Sequence, residues 1–162
     1  MTNEILRIEG LEKSYLSKNE NLRVLKGLNL LVHKGERVCV IGQSGNGKST
    51  LLNIVGGIDS ASGGTVVSCG FNLSKMGESE LTEYRSRYVG LVFQFHYLLK
   101  DFTALENIFL PAYMAGAPKA AALEKAKKLL SDIGLSQRAD HLPSELSGVE
   151  RQRVAVARAL IN

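Results

Sequence analysis

Residues Val38 to Thr50 read VCVIGQSGNGKST, and this stretch determines the kind of fold that the sequence predicts. Its first four residues, Val38–Ile41, are apolar without alternation, which is typical of a parallel strand covered on both faces. Gly42–Ser49 follows with the spacing G-x-x-x-x-G-K-S, and Lys48–Gly56 has a helical pattern. Strand, glycine-rich loop and helix in this order predict an α/β domain with a phosphate-binding loop.

The residue types in this loop suit the phosphates of a nucleotide. Glycines let successive backbone N–H groups point at phosphate oxygens, and the helix N-terminus adds its positive dipole end. Lys48 supplies a positive charge for the β and γ phosphates, and the Ser49 hydroxyl is a suitable ligand for Mg²⁺. The predicted phosphate-site residues are Gly42, Gln43, Ser44, Gly45, Asn46, Gly47, Lys48, Ser49 and Thr50.

The motif has two alternative interpretations. A glycine-rich turn that carries Lys-Ser by chance is disfavoured, because the motif also lies between a predicted strand and a predicted helix. The loop fits kinases, GTPases and motor ATPases equally well, so the motif alone predicts nucleotide binding and not the work that the protein does.

Composition narrows the class of protein. The 162 residues, 44% of them hydrophobic, suffice for one domain with a core. The net charge of +4 is spread along the chain, so no nucleic-acid partner is expected. No apolar run is long enough to span a membrane and residues 1–10 lack a signal pattern, so a cytoplasmic address is expected. Cys39 and Cys69 have apolar neighbours and are predicted to be buried.

Hydrophobic periodicity predicts the remaining elements. Leu22–Val32 alternates with a break at Lys26–Gly27, which favours two half-buried strands joined by a turn. Thr65–Cys69 and Tyr88–Phe93 also have strand patterns. A capping box at Thr103 and Glu106, apolar repeats as far as Gly134, and a second capping box at Ser147 and Glu150 predict helices over residues 103–142 and from residue 147 onward.

Further segments resemble the ABC transporter ATPase family over essentially the whole chain. The segment LEKSYL contains Tyr15, which stands where the family has an aromatic ring that stacks on adenine; a strand-face aromatic is the alternative interpretation. Gln94, in LVFQ, matches the family's glutamine that reaches the magnesium ion and the attacking water. The resemblance therefore implies ATP and Mg²⁺ as ligands, Lys48 and Gln94 as catalytic residues, and Ser49 and Gln94 at the metal.

The segment LSGVERQRVAVARAL, residues 146–160, resembles the family's signature segment. The resemblance implies that this segment closes on the ATP of a second ATPase subunit in a head-to-tail dimer. The signature residues that would approach that ATP are Ser147, Gly148, Val149 and Glu150. A helix N-terminus with a capping box is compatible with the same role, because its free N–H groups can receive a phosphate.

The implied fold is an α/β P-loop NTPase of the ABC ATPase type, with N-terminal antiparallel strands, a helical subdomain and the C-terminal part of the core sheet missing. The expected organisation is a nucleotide-binding core over about residues 1–94, a helical subdomain over about 95–145, and a signature segment with its helix over 146–162.

One branch of the family matches best. The segment FQFHYLLKDFTALENIFLPAYMAG is most similar to the ATPase of the lipoprotein-releasing system, and the macrolide-exporter and cell-division branches share part of its pattern. The resemblance implies transmembrane permease subunits as partners and a peripheral position on the cytoplasmic face of the inner membrane. Phe95, Tyr97 and Leu98 would contact those subunits or belong to an ordinary subdomain core.

Two departures from the family pattern bear on activity. Val149 replaces a signature glycine, and a β-branched residue there is expected to resist unusual backbone angles and to weaken contact with the partner's γ phosphate. The family's strand ending in Asp-Glu and its later histidine have no counterpart in the 162 residues, so negligible hydrolysis and poor folding are expected for this chain. A catalytically silent partner subunit, a cytosolic ABC protein without a transporter, and a non-functional product remain alternatives.

Overall fold

The structure of the protein is a computed structural model that describes residues 3–17 and 20–162. Its strands are β1 (Glu4–Ser17), β2 (Glu20–His33), β3 (Gly63–Ser68) and β4 (Phe71–Asn72). Its helices are α1 (Lys48–Val55), α2 (Glu78–Tyr88), α3 (Ala104–Met114), α4 (Lys119–Asp132) and α5 (Gly148–Ala159). The chain divides into two compact units, Met1–Arg85 and Ser86–Asn162, and each has its own core.

The first unit contains an antiparallel sheet with the strand order β2-β1-β3-β4, which confirms the predicted N-terminal antiparallel strands. The predicted turn at Lys26–Gly27 is wrong, because β2 runs unbroken through both residues. Leu11 pairs with Leu28 and Glu12 pairs with Lys26, so Gly27 is an extra residue that the ladder accommodates at φ 77°. Glycine permits this bulge without strain, and a glycine in an alternating pattern therefore marked a bulge and not a turn.

Two predicted strands are absent from the described residues. Val38–Ile41 lies in irregular chain with Ile41 86% exposed, and Tyr88–Phe93 divides between the end of α2 and irregular chain. The physical reason is that no strand within residues 3–17 and 20–162 lies beside either segment to pair with its backbone groups. By contrast, the strand predicted at Thr65–Cys69 is confirmed as β3.

The prediction that both cysteines are buried is also wrong. Cys39 is exposed, because it belongs to the irregular Val38–Ile41 segment that no strand covers. Cys69 is half-buried and has φ 51°, since it lies in the turn between β3 and β4.

The core of the first unit forms where α1 packs on one face of the sheet. Its buried side chains come from β1, β2, β3 and α1 and are Ile8, Leu11, Leu25, Leu51, Ile54 and Val66. Tyr84 of α2 is 1% exposed, and its hydroxyl donates to the Val55 carbonyl at 2.9 Å and contacts the Ser68 hydroxyl at 2.8 Å. These contacts fix the C-terminal end of α1 and thereby the direction of the loop that precedes it.

The core of the second unit lies between α3, α4 and α5. It contains Ala104, Ile108, Phe109, Ala112, Ala122, Ala126, Leu130, Leu135, Leu146, Val154, Ala157 and Ile161. Both predicted capping boxes are confirmed, at Thr103 with Glu106 and at Ser147 with Glu150. Gly134 follows α4 at φ 73°, as predicted for a helix end. Within the described residues, every helix is too short or too polar to cross a membrane.

Candidate functional site

The glycine-rich loop of the first unit is built around Gly47. This residue is buried at φ 79° and caps α1, and a β-carbon there would lie 2.8 Å from Val24 and 2.9 Å from Leu25. Both the backbone angle and the lack of space therefore require glycine at this position. Close packing between the loop and β2 therefore explains the second glycine of the motif.

Lys48 folds back over this loop. Its ammonium donates to the Gly42 carbonyl at 2.8 Å and to the Gln43 carbonyl at 2.6 Å. The charge is thus held at the loop by two neutral acceptors, which an anionic phosphate oxygen would outcompete. The loop positions Lys48 and leaves its charge available for an anionic ligand.

The first turn of α1 supplies further donors. No side chain caps the helix, and its first turn contains no acidic residue. The first intrahelical donor is the Leu51 amide, which bonds to the Gly47 carbonyl at 2.9 Å. The N–H groups of Lys48, Ser49 and Thr50 therefore have no acceptor within the helix and can donate to a ligand, and the helix dipole favours an anion at the same place. The exposed Ser49 side chain lies in this turn as predicted from the motif.

The structure brings Tyr15 and the loop to one cavity of about 460 Å³. Tyr15 pairs with Leu22 of β2, and both residues line this cavity. The cavity is lined by Tyr15, Leu22, Val24, Ser44, Gly45, Gly47, Lys48, Ser49 and Thr50. The cavity has an aromatic ring at one wall and, at the other, a helix N-terminus that no side chain caps. This arrangement fits a nucleotide whose base lies on the ring and whose phosphates lie on the loop.

Three predicted loop residues, Gly42, Gln43 and Asn46, do not line this cavity. Gly42 and Gln43 provide the carbonyls that hold Lys48. Asn46 lines a neighbouring groove beside β2, and its backbone N–H donates to the Gln43 carbonyl at 3.4 Å.

Two residues that sequence reasoning missed fix the Tyr15 ring. The Tyr15 hydroxyl donates to Asp59 at 2.8 Å, and the Lys13 ammonium donates to the other Asp59 oxygen at 2.6 Å. Lys13 is 7% exposed and also lies 4.8 Å from the centre of the Tyr15 ring. Lys13 and Tyr15 are two apart on one strand, a spacing that places both on one face, but Asp59 comes from a distant loop that no local pattern identifies.

Electrostatics keeps Asp59 ionised. Partial burial raises the pKa of Asp59, but hydrogen bonds from Lys13, from Tyr15 and from the Ser60 amide outweigh that effect and leave the pKa below its ordinary value. The carboxylate therefore remains an acceptor for the Tyr15 hydroxyl at neutral pH.

Gln94 belongs to the second unit and lies exposed in a turn after irregular chain. It lines a cavity of about 530 Å³ together with Phe95, His96, Tyr97, Leu98, Pro143 and Arg151. Phe95 is 73% exposed and Tyr97 is 62% exposed, whereas Leu98 is half-buried and packs against the core of the second unit. The exposure of Phe95 and Tyr97 is compatible with a contact surface, and the packing of Leu98 fits the subdomain core.

Ser147–Glu150 forms the first turn of α5. The Ser147 amide donates to the Glu150 carboxylate at 2.7 Å, and the Glu150 amide donates to the Ser147 hydroxyl at 3.2 Å. The bonds with the Ser147 amide and hydroxyl, followed by the Arg138 charge, lower the pKa of Glu150 against a small effect of burial. A carboxylate at a helix N-terminus also interacts favourably with the helix dipole.

One reason given for an effect of Val149 is wrong. Val149 lies inside α5, and its φ is not positive, so the position demands no backbone angle that a β-branched residue resists. Its side chain is 66% exposed, so any effect on a ligand must come from the bulk of its two methyl groups. Gly148 has open space around its α-carbon.

Comparisons with known proteins agree with this geometry. A sequence profile of the ABC transporter family matches residues 25–162. The lipoprotein-releasing system ATP-binding protein LolD of Treponema denticola is 52% identical over the whole chain, which spans 72% of that protein. The protein of the same name from Bacteroides thetaiotaomicron is 51% identical over 98% of the chain, which spans 71% of that protein.

Solved structures give the same result. A dimeric structure of the ATP-binding cassette MJ0796, described as a post-hydrolysis state bound to ADP and Pi, superimposes with a TM-score of 0.91. The identity is 36%, and the match covers 98% of this chain and 70% of that chain.

Proposed function

We propose, from the premise that the chain belongs to the ABC transporter family, that it is the ATP-binding subunit of a complex that releases lipoproteins from the inner membrane. The observation that carries this proposal is the single cavity at which Tyr15 faces the loop of Lys48 and the N-terminus of α1. The relatives named for lipoprotein release support the choice of cargo.

Each part of the cavity has a proposed role toward ATP. The Tyr15 ring stacks on the base, while the loop amides and the first turn of α1 bind the phosphates. The Lys48 ammonium leaves the Gly42 and Gln43 carbonyls for the β and γ phosphates. Bound Mg²⁺ would neutralise phosphate charge, and the Ser49 hydroxyl is its proposed protein ligand.

The second unit supplies the residues proposed to respond to the γ phosphate. Gln94 is the proposed contact to magnesium and water, and the first turn of α5 is proposed to face the ATP of a second ATPase subunit in a head-to-tail dimer. The exposed Phe95 and Tyr97 beside Gln94 are the proposed contacts to transmembrane permease subunits on the cytoplasmic face of the membrane.

A second candidate function is a nucleotide-binding subunit that promotes assembly without turnover. It is favoured by the exposed Val149 side chain in front of α5, where the partner's phosphate is proposed to bind. The sequence also lacks an apolar strand that ends in Asp-Glu, so under this second candidate the 162 residues bind ATP without efficient hydrolysis.

The test is reconstitution with the transmembrane subunits in proteoliposomes, with lipoprotein release and phosphate production followed together. The proposal expects ATP-dependent release that Lys48→Met abolishes and that the exposed control Lys34→Met leaves unchanged. ATP-dependent assembly without phosphate production would favour the silent subunit. Assembly without any response to ATP would contradict both candidates.

A further inference from the structure

The chain next to Gln94 has an unusual backbone. Three non-glycine residues in the described part of the chain have positive φ, and two of them, His96 at 61° and Tyr97 at 46°, are consecutive and follow Gln94 closely. A residue with a β-carbon is disfavoured in this left-handed region, so contacts from elsewhere in the fold must hold it there.

Arg158 of α5 makes those contacts. Its guanidinium donates to the His96 carbonyl at 2.7 Å and to the Tyr97 carbonyl at 2.7 Å, across more than sixty residues of sequence. Arg158 is half-buried, and burial lowers its pKa, but a guanidinium stays charged in proteins. Within the described chain the guanidinium donates hydrogen bonds to these two carbonyls, so one side chain holds two consecutive peptide groups.

The next part of the same loop is fixed separately. Asn107 of α3 is 1% exposed, and its amide bonds with backbone groups of Leu99, Phe102 and Thr103. The segment from residue 99 onward therefore stays attached to α3 whether or not Arg158 is present. The hydrogen bonds of Arg158 are therefore made to a separate part of the loop, His96 and Tyr97, which follows the Gln94 turn.

We propose that Arg158 is a positioning residue that links the Gln94 turn to α5, so that a displacement of the first turn of α5 is passed to Gln94. The inference rests on the function proposed for Gln94 and for Ser147–Glu150. Arg158 follows Ser147 by eleven residues, which places it about 16 Å farther along the same rigid helix. We call the two hydrogen bonds from Arg158 to the His96 and Tyr97 carbonyls the clamp. One helix thus carries the proposed signature turn at its start and the clamp near its end.

Amide hydrogen exchange of residues 95–98 in the intact chain tests the clamp. Arg158→Met is expected to raise the exchange rate of this segment by at least about thirtyfold, because two charge-assisted hydrogen bonds are lost. Arg158→Lys is expected to raise it less, since an ammonium cannot bond both carbonyls in the same fork. The matched control is Arg153→Met on the same helix, whose exposed side chain contacts the Ile133 carbonyl at 3.4 Å and should leave residues 95–98 unchanged.

A double-mutant cycle separates a clamp from ordinary packing. With Arg158 present, His96→Gly is expected to lower the unfolding equilibrium constant about threefold, because glycine accepts the left-handed angle without strain. In Arg158→Met the loop is free to leave that angle, so the same glycine is expected to raise the constant. An identical effect of His96→Gly in both backgrounds would overturn the clamp.

The outcomes also separate this inference from the function on which it rests. Exchange of residues 95–98 that stays unchanged in Arg158→Met overturns the inference, and Arg158→Lys decides the matter by the same criterion if the methionine variant does not fold. Gln94→Ala is expected to abolish ATP-dependent activity in the reconstituted complex with exchange near the native rate. Full activity of Gln94→Ala would contradict the role of Gln94 and leave the measured clamp in place.

Discussion

Replacing Asp59 with asparagine removes one charge from the contact that fixes Tyr15, with almost no change in side-chain shape. Asp59 accepts from Lys13 at 2.6 Å, from Tyr15 at 2.8 Å and from the Ser60 amide at 2.8 Å. Lys13 is 7% exposed, so its ammonium would be left with a neutral amide and the Ser60 carbonyl as partners. Loss of a charge-assisted hydrogen bond of this kind is expected to lower the free energy of unfolding by about 2 kcal/mol.

Urea unfolding at pH 7 measures this cost. The unfolding equilibrium constant of Asp59→Asn should rise about thirtyfold, which corresponds to about 2 kcal/mol. Asp101→Asn is the matched control, because Asp101 is exposed and the same charge is removed. A variant as stable as the native chain at pH 7 would refute the energetic importance assigned to the Lys13 contact.

The pH dependence of this difference in stability provides a second test. Since the folded-state pKa of Asp59 lies below its ordinary value of 3.8, the ionised carboxylate stabilises the fold fully above that value and loses this effect as the pH falls below it. The difference in free energy of unfolding between native chain and Asp59→Asn should therefore shrink below pH 3.8. A difference that stays constant there would show that charge is not its cause.

Three further substitutions test the contacts of other residues. Gly47→Ala should lower the free energy of unfolding by about 2 kcal/mol and weaken ATP binding, as followed by urea unfolding and calorimetry, because the left-handed angle and the contacts with Val24 and Leu25 both oppose a β-carbon; unchanged ATP affinity would contradict it. Asn107→Ala should cost about 3 kcal/mol in urea unfolding, since buried backbone groups lose their partner, and an effect below 1 kcal/mol would be too small for that account. Glu150→Gln should lower the melting temperature at pH 7, with the deficit disappearing as the pH falls below 4.5, because the depressed pKa of Glu150 makes its ionised form the stabilising one; a deficit that persists in acid would exclude this cause.

Local signals predicted much of the structure. The loop motif predicted the loop glycines, the lysine and the helix N-terminus, because each depends on residues within a few positions. Both capping boxes and the end of α4 were predicted for the same reason. These features need no knowledge of distant parts of the chain.

Features that depend on distant partners were not predicted. The apolar Val38–Ile41 and Tyr88–Phe93 have strand patterns, yet a strand also requires a neighbour, and pattern alone does not supply one. Asp59 and Arg158 act through contacts with residues more than forty positions away. Asp59 belongs to no local motif, and Arg158 lies in the signature-like segment 146–160, whose pattern does not indicate a contact with His96 and Tyr97.

Affinity for ATP compared with affinity for inorganic tripolyphosphate, measured by calorimetry with Mg²⁺, tests the central claim most directly. The account predicts that Tyr15→Ala weakens ATP binding about thirtyfold through lost base stacking and leaves tripolyphosphate binding unchanged. Lys48→Met should weaken both ligands, because its charge serves the phosphates alone. ATP binding that is unaffected by Tyr15→Ala, or no ATP binding by the native chain, would contradict the claim that this cavity is a nucleotide site.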